Sequence, residues 1–189
     1  KTILLRQAIQ ALLADGVEGS RILYVPFDEL PTFREIKEPV LSISRWFEKE
    51  IVGNTFNALA NRNSPVYLLF DEVQNLDAWA PQVKNLVDNH GVRCLITGSS
   101  SLRIEAGRDS LAGRISTLEM GPLLLREIAD LRFGVQCDSQ WGDNGLDQLL
   151  SPDFWHEAMR RGQEQSEIRR CSFKAYSERG GYPIAQERH

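Results

Sequence analysis

The sequence predicts an α/β fold in which a parallel sheet is flanked by helices. Three short apolar runs, enriched in β-branched and aromatic residues, alternate with segments whose apolar residues recur at helical spacing. The middle run, Val66 to Phe70, contains five apolar residues in succession. Such a run is typical of a central strand that is buried on both faces. We therefore place strands at residues 21–27, 66–70 and 92–97.

Amphipathic patterns precede and separate these strands. The first covers residues 3–13 and ends at Asp15-Gly16, a plausible helix stop. The second covers residues 39–59, and the third begins near Trp79 after a loop and cap. A further strand at residues 115–120, followed by a helix, completes the predicted core.

The composition is that of a soluble globular protein. Hydrophobic residues make up 42% and charged residues 25% of the 189-residue chain, and no apolar run approaches the length of a membrane span. We expect a cytoplasmic location, because no targeting peptide is visible and the three cysteines lack the CxxC pairing of a metal site. A net charge of −4 argues against a broad nucleic-acid surface and leaves a local one open.

Two acidic residues stand together at the end of the middle strand. Ligands of parallel α/β sheets bind beyond the carboxyl ends of the strands, so Asp71 and Glu72 lie where chemistry is expected. In such a Walker B arrangement Asp71 holds Mg²⁺, a cation that prefers oxygen ligands and keeps part of its hydration shell. Glu72 then orients and deprotonates the attacking water. An ordinary polar turn after a buried strand is the alternative.

The first two residues, Lys1 and Thr2, precede a helical pattern as the last two residues of a P-loop do. In GxxxxGK[ST] the Lys reaches the β and γ phosphates, and the hydroxyl binds Mg²⁺ at the start of a helix whose dipole favours an anion. The glycines of this motif would precede Lys1. We therefore expect that the first strand and the glycine loop are missing from this chain. A solvated chain end is the alternative.

Five sequence blocks follow one another in a defined order. They are Phe70-Asp71-Glu72-Val73-Gln74, Trp79, Ile96-Thr97-Gly98-Ser99-Ser100-Ser101, Leu111-Ala112-Gly113-Arg114 and Gly121-Pro122-Leu123-Leu124-Leu125-Arg126-Glu127-Ile128. In order and spacing they resemble the AAA-like P-loop ATPases common in archaea and bacteria. The opening Lys1-Thr2-Ile3-Leu4-Leu5 is similar to the end of that family's P-loop, and Gly180-Gly181-Tyr182-Pro183 to its GGFP. Leu124 departs from the usual Ser.

The resemblance implies a P-loop NTPase fold of the AAA type that binds ATP and Mg²⁺. It places Thr97 or Ser99, with Ser99 slightly preferred, at the sensor-1 position, which contacts the γ phosphate and helps to position water. A plain strand-to-loop turn is the alternative. It also implies that Arg114 acts as an arginine finger in its own or a neighbouring subunit. A structural salt bridge is the alternative for Arg114.

A polar stretch at residues 134–151 separates two predicted regions. Residues 1–133 form the ATPase core, and residues 134–189 form a linker and the start of a truncated helical domain. We expect helices at 152–165 and 166–179 in the second region. Their basic residues are interleaved with acids, which indicates a solvated helical face rather than a DNA patch.

The predicted reaction is ATP hydrolysis, with Lys1 on the phosphates, Thr2 and Asp71 on Mg²⁺, and Glu72 as the base. The alternative is a regulatory switch that binds ATP, turns over rarely and signals through its C-terminal domain to a protein partner. A DNA-associated ATPase and a homo-oligomer are left open, and no membrane partner is expected. Without the upstream strand and glycine loop, this chain alone is expected to be poorly soluble and to bind ATP weakly.

Overall fold

The computed structural model describes residues 1–98, 111, 113–138 and 149–187, apart from the side chain of Arg34. The chain divides into two compact units, Lys1–Leu118 and Glu119–His189. The first unit combines strands and helices, whereas the described part of the second is helical.

The first unit is built on a parallel sheet, which has three strands within the described residues. These are β1 (Ile22–Pro26), β2 (Val66–Asp71) and β3 (Val92–Ile96), arranged in the order β1-β2-β3. Both strand pairs are parallel. The prediction that the Val66 run is a central strand is therefore confirmed, and the carboxyl ends of all three strands meet at one edge of the sheet.

Helices precede and separate the strands along the chain. They are α1 (Thr2–Ala14), α2 (Pro39–Phe47), α3 (Phe56–Asn61) and α4 (Trp79–Asn89). The core combines fully buried side chains of the strands with apolar residues of the helices, for example Phe70 with Val40 and Leu86. Burial of this apolar surface, at roughly 25 cal/mol per Å², is the main force that holds the layers together.

The prediction of one long helix over residues 39–59 is wrong, because the chain turns at Gly53. The α-helix ends at Phe47, a single wide helical turn follows, and Gly53 adopts a left-handed φ of 66°. Thr55 then caps the next helix, its side-chain oxygen accepting a hydrogen bond from the Ala58 N–H at 3.2 Å. A left-handed glycine and a threonine N-cap are local stop and start signals, and they override the continuous apolar pattern.

The prediction of a strand at residues 115–120 is also wrong. This segment has no regular secondary structure, and residues 116–120 are exposed. A strand exists only where a neighbouring strand satisfies its backbone N–H and C=O groups, and among the described residues β3 forms the edge of the sheet. An apolar groove lined by Cys94, Leu111 and Ile115 runs beside β3.

The second unit contains four helices among its described residues. They are α5 (Leu125–Phe133), α6 (Pro152–Glu164), α7 (Ser166–Arg179) and α8 (Pro183–Glu187). The two helices predicted at 152–165 and 166–179 are confirmed, the first ending one residue early. Gly181 permits a close approach in this unit, since a Cβ there would lie 2.6 Å from the Cβ of Pro122. Its carbonyl oxygen accepts a hydrogen bond from the Leu123 N–H at 2.7 Å.

The three cysteines, Cys94, Cys137 and Cys171, are free thiols. Burial raises the pKa of the Cys94 thiol to about 12, so this side chain stays protonated and unreactive at neutral pH. None of the helices in the described part of the chain combines the length and the apolar character needed to cross a membrane.

Candidate active site

Several of the predicted site residues meet at the carboxyl edge of the sheet. Asp71 ends β2, Thr97 directly follows β3, and α1 begins at Thr2. The hydroxyl groups of Thr97 and Tyr24 donate hydrogen bonds to the Asp71 carboxylate, and the Thr2 hydroxyl lies beside it. Strands from both sides of β2 and the start of a helix therefore converge on one carboxylate.

The Asp71 carboxylate is buried, with only 1% of the residue exposed. Burial by itself raises the pKa of this group, but the hydroxyl groups of Thr97, Thr2 and Tyr24 around it outweigh this effect, and the pKa lies below its usual value. Each oxygen has a defined partner, with the Tyr24 hydroxyl 3.1 Å from Oδ2 and the Thr97 hydroxyl on Oδ1. Asp71 is thus an ionised carboxylate in a fixed orientation at neutral pH.

Lys1 lies at the same edge of the sheet. Its ammonium group donates a hydrogen bond to the carbonyl oxygen of Gly98, two residues past the end of β3. Lys1 is also the N-cap of α1, whose first N–H groups have no partners within the helix and carry partial positive charge. A cation and a helix N-terminus at one place favour an anion such as a phosphate group.

Thr97 is hydrogen-bonded to both acidic residues at the end of β2, Asp71 and Glu72. Its hydroxyl donates to Oδ1 of Asp71 and accepts a hydrogen bond from the Glu72 N–H at 3.3 Å. Its backbone N–H donates to the Phe70 carbonyl at 2.9 Å, and its carbonyl accepts from the Val73 N–H at 3.1 Å. The residue after β3 therefore determines the path of the chain around the end of β2.

Glu72 adopts a left-handed backbone conformation, with φ 55° and ψ 42°. For a residue other than glycine this conformation costs on the order of 1–3 kcal/mol and is found preferentially at functional sites. Thr97 stabilises it through the hydrogen bond described above, and the Gln74 side-chain amide donates to Oε2 of Glu72. The sharp turn separates two adjacent carboxylates, so that Asp71 is buried while Glu72 is half-buried.

The donor atoms at this edge are oxygens, from the Asp71 carboxylate and the Thr2 hydroxyl. This donor set fits Mg²⁺, which takes oxygen ligands and is usually bound by one or two carboxylates together with waters and substrate phosphates. Within the described ranges there is no cluster of three or more His, Cys, Asp or Glu side chains that could hold a metal ion. A cation bound by Asp71 and Thr2 would therefore take its remaining ligands from water and from a phosphate.

Comparison with known proteins identifies the family. Residues 1–129 match a family model described as AAA domain. The chain belongs to the AAA domain family. The AAA-like resemblance predicted from the sequence blocks is thereby confirmed, and membership indicates a nucleotide-binding ATPase domain.

The AAA domain also has a curated relative. An uncharacterized protein (MJ1637) of Methanocaldococcus jannaschii is 28% identical over 171 residues, an alignment that covers 90% of this chain and 33% of the relative. The chain thus spans about a third of the length of that relative. No solved structure matches the chain.

The structure places Arg114 of this AAA domain in an ion pair. Its Nε lies 2.5 Å from Oδ1 of Asp88, and both side chains are at least one-third exposed. Asp88 belongs to the last turn of α4, just before the chain enters β3. Asp88 therefore lies at the amino edge of the sheet, whereas Asp71 lies at the carboxyl edge. Within one chain Arg114 therefore lies away from the carboxylates. Ser99, the other predicted sensor, lies outside the described residues.

Two residues of the site were missed in the sequence. Tyr24 lies on β1, 47 positions before Asp71, and its only sequence signal is a hydroxyl-bearing side chain near the end of an apolar strand. Gln74 belongs to a recognised sequence block, but nothing in its spacing indicated a contact with Glu72. Both contacts depend on how strands and turns are placed in space.

Proposed function

We propose that this AAA domain binds ATP together with Mg²⁺ and hydrolyses ATP to ADP and phosphate. One observation carries the proposal: the ionised Asp71 carboxylate, at the carboxyl end of β2, lies beside Thr2 at the start of α1. The helix start and the strand end are thereby joined in the way that P-loop ATPases need. Family membership supports the same activity.

Lys1 and Thr2 are the residues we assign to the nucleotide. The Lys1 ammonium would leave the Gly98 carbonyl and bind the β and γ phosphates, because a charge-assisted hydrogen bond to a phosphate is stronger than one to a neutral carbonyl. The partial positive charge at the start of α1 favours the same anion. The Thr2 hydroxyl, already beside Asp71, would be an oxygen ligand for Mg²⁺.

Asp71 and Glu72 divide the remaining chemistry between them. Asp71 would hold Mg²⁺, and the ion, when bound, neutralises the charge that develops on the phosphates. Glu72 would accept a proton from the water that attacks the γ phosphorus, while the bond to the bridging oxygen breaks and ADP leaves. The left-handed turn directs the two carboxylates to these different tasks.

The assignments for the γ phosphate follow from the hydrogen bonds at Thr97. Because the Thr97 hydroxyl already donates to Asp71, Ser99 is the preferred sensor of the γ phosphate. Thr97 would instead orient Asp71 and Glu72 through its hydrogen bonds. An arginine-finger role for Arg114 would require a phosphate bound to a neighbouring subunit, since within its own chain it pairs with Asp88.

One contact favours a slow switch as the second candidate function. The Gln74 amide donates a hydrogen bond to Oε2 of Glu72, which occupies one lone pair of the carboxylate and restricts how it can turn toward the attacking water. Tight ATP binding with rare turnover would follow if the contact persisted in the ATP complex.

Steady-state phosphate release by the full-length protein tests the proposed function. We expect Mg²⁺-dependent hydrolysis that stops when EDTA removes the metal. Tight ATP binding with almost no phosphate release would support the switch instead. A protein that neither binds nor hydrolyses ATP would overturn both.

Thr97→Val should lower turnover by roughly 10–100-fold, the usual cost of losing a partner that orients a metal-holding group. Valine has almost the same shape but leaves Oδ1 of Asp71 and the Glu72 N–H without the Thr97 hydroxyl, which should also lower the free energy of unfolding by about 1–3 kcal/mol. Thr97→Ser keeps the hydroxyl and is the matched control. Phosphate release and urea unfolding measure both effects, and identical behaviour of the two variants would contradict the role of the hydroxyl.

A further inference from the structure

Tyr24 contacts the buried carboxylate from the side opposite Thr97. Tyr24 lies on β1, and its hydroxyl is 3.1 Å from Oδ2 of Asp71. Thr97 directly follows β3, and its hydroxyl donates to Oδ1 of the same carboxylate. β2 runs between these two strands. The carboxylate is therefore held between its two neighbouring strands, one hydroxyl to each oxygen, and none of the roles assigned above uses Tyr24.

The direction of the Tyr24 hydrogen bond follows from the charge of its partner. An ionised carboxylate can only accept, so the Tyr24 phenol donates to Asp71. The Arg6 guanidinium on α1 lies near the same phenol and favours this direction, because arginine can only donate. Burial and the neighbouring Asp71 raise the pKa of Tyr24, which keeps the phenol protonated as this arrangement requires.

The hydrogen bonds to Asp71 also limit what else it can bind. An ionised carboxylate offers about four lone-pair sites, and the hydroxyls of Tyr24 and Thr97 occupy one on each oxygen. About one site on each oxygen remains for a cation, for one of its waters or for the Thr2 hydroxyl beside it. The directions of these remaining sites depend on the orientation of the carboxylate, and Tyr24 and Thr97 together fix that orientation.

We propose that Tyr24 is a positioning residue that sets the affinity of the site for Mg²⁺ by orienting the Asp71 carboxylate through Oδ2. This inference rests on the proposed function, because it assumes that Asp71 holds Mg²⁺. Tyr24 itself contacts neither the metal nor the nucleotide. Its effect should therefore appear in the metal affinity and not in the chemical step.

Tyr24→Phe tests the proposal, since it removes the hydroxyl and keeps the ring. We expect the Mg²⁺ concentration for half-maximal activity to rise about tenfold or more, within the roughly 10–100-fold range for lost partners of a metal-holding group. Turnover at saturating Mg²⁺ and the affinity for ATP in EDTA should stay at the parent values. Calorimetric titration of Mg²⁺ into the full-length protein with a non-hydrolysable ATP analogue gives the same shift without any turnover.

Tyr67→Phe is the matched control, because Tyr67 lies on β2 at the amino end, opposite Ile22, and loses the same hydroxyl. Unchanged Mg²⁺ affinity in Tyr24→Phe would overturn the proposal. So would an equal shift in both variants, or a loss of metal-free ATP affinity, because either would indicate a merely structural effect. A parent protein without Mg²⁺-dependent ATP binding would overturn the proposed function as well, so the two failures are distinguishable.

Discussion

Glu72→Gln is expected to retain ATP and Mg²⁺ binding and to lower turnover by at least about a hundredfold, the typical loss when a general base is removed. Glutamine keeps the size and the hydrogen-bonding shape of glutamate, so the left-handed turn and the contact with Gln74 can persist. The amide cannot accept a proton from water at neutral pH. Single-turnover phosphate release, with binding measured by calorimetry, separates the two effects.

The matched control for this change is Glu18→Gln. Glu18 is exposed and precedes β1 at the amino edge of the sheet, so it undergoes the same chemical change far from the candidate site. Turnover of this variant should equal that of the parent protein. If Glu72→Gln hydrolysed ATP at the parent rate, Glu72 would not be the base and its assignment would be withdrawn.

Asp71→Ala is expected to abolish the tightening of ATP binding by Mg²⁺. The carboxylate is the acidic oxygen donor at the junction of β2 and α1, and its loss should cost more than the roughly 10–100-fold that an orienting partner costs. ATP titrations with Mg²⁺ and with EDTA measure the effect as the ratio of the two dissociation constants. That ratio should fall to about one.

Two further variants make the Asp71 result decisive. Asp71 is buried and accepts hydrogen bonds from the Tyr24 and Thr97 hydroxyls, so alanine can also destabilise the fold. Asp71→Asn preserves the shape of the side chain and should lose the Mg²⁺ dependence while the domain stays folded. Asp77→Ala removes an exposed acid of the nearby loop and should leave the dependence intact. Equal effects of Asp71→Asn and Asp77→Ala would mean that the metal site lies elsewhere.

Much of the fold is predictable from local sequence. Short, mainly apolar runs predicted β1, β2 and β3 to within one or two residues. The continuous run of β2 reflects burial on both faces of that strand, whereas burial alternates along β1 and β3. Helical periodicity predicted α1, α6 and α7 in the same way. The long helix over residues 39–59 failed because a left-handed glycine, a single residue, outweighs a periodic pattern.

The sequence by itself determined the alternation of strands and helices and placed Asp71, Glu72 and Thr97 at strand ends, since these features depend on neighbouring residues alone. Tertiary structure decided which of them touch. The order β1-β2-β3 brings Tyr24 and Thr97 to opposite oxygens of Asp71. The same packing pairs Arg114 with Asp88 and leaves residues 115–120 without a strand. Such contacts join residues far apart in the chain, and they depend on strand order and on available backbone partners, which no local pattern of side chains encodes.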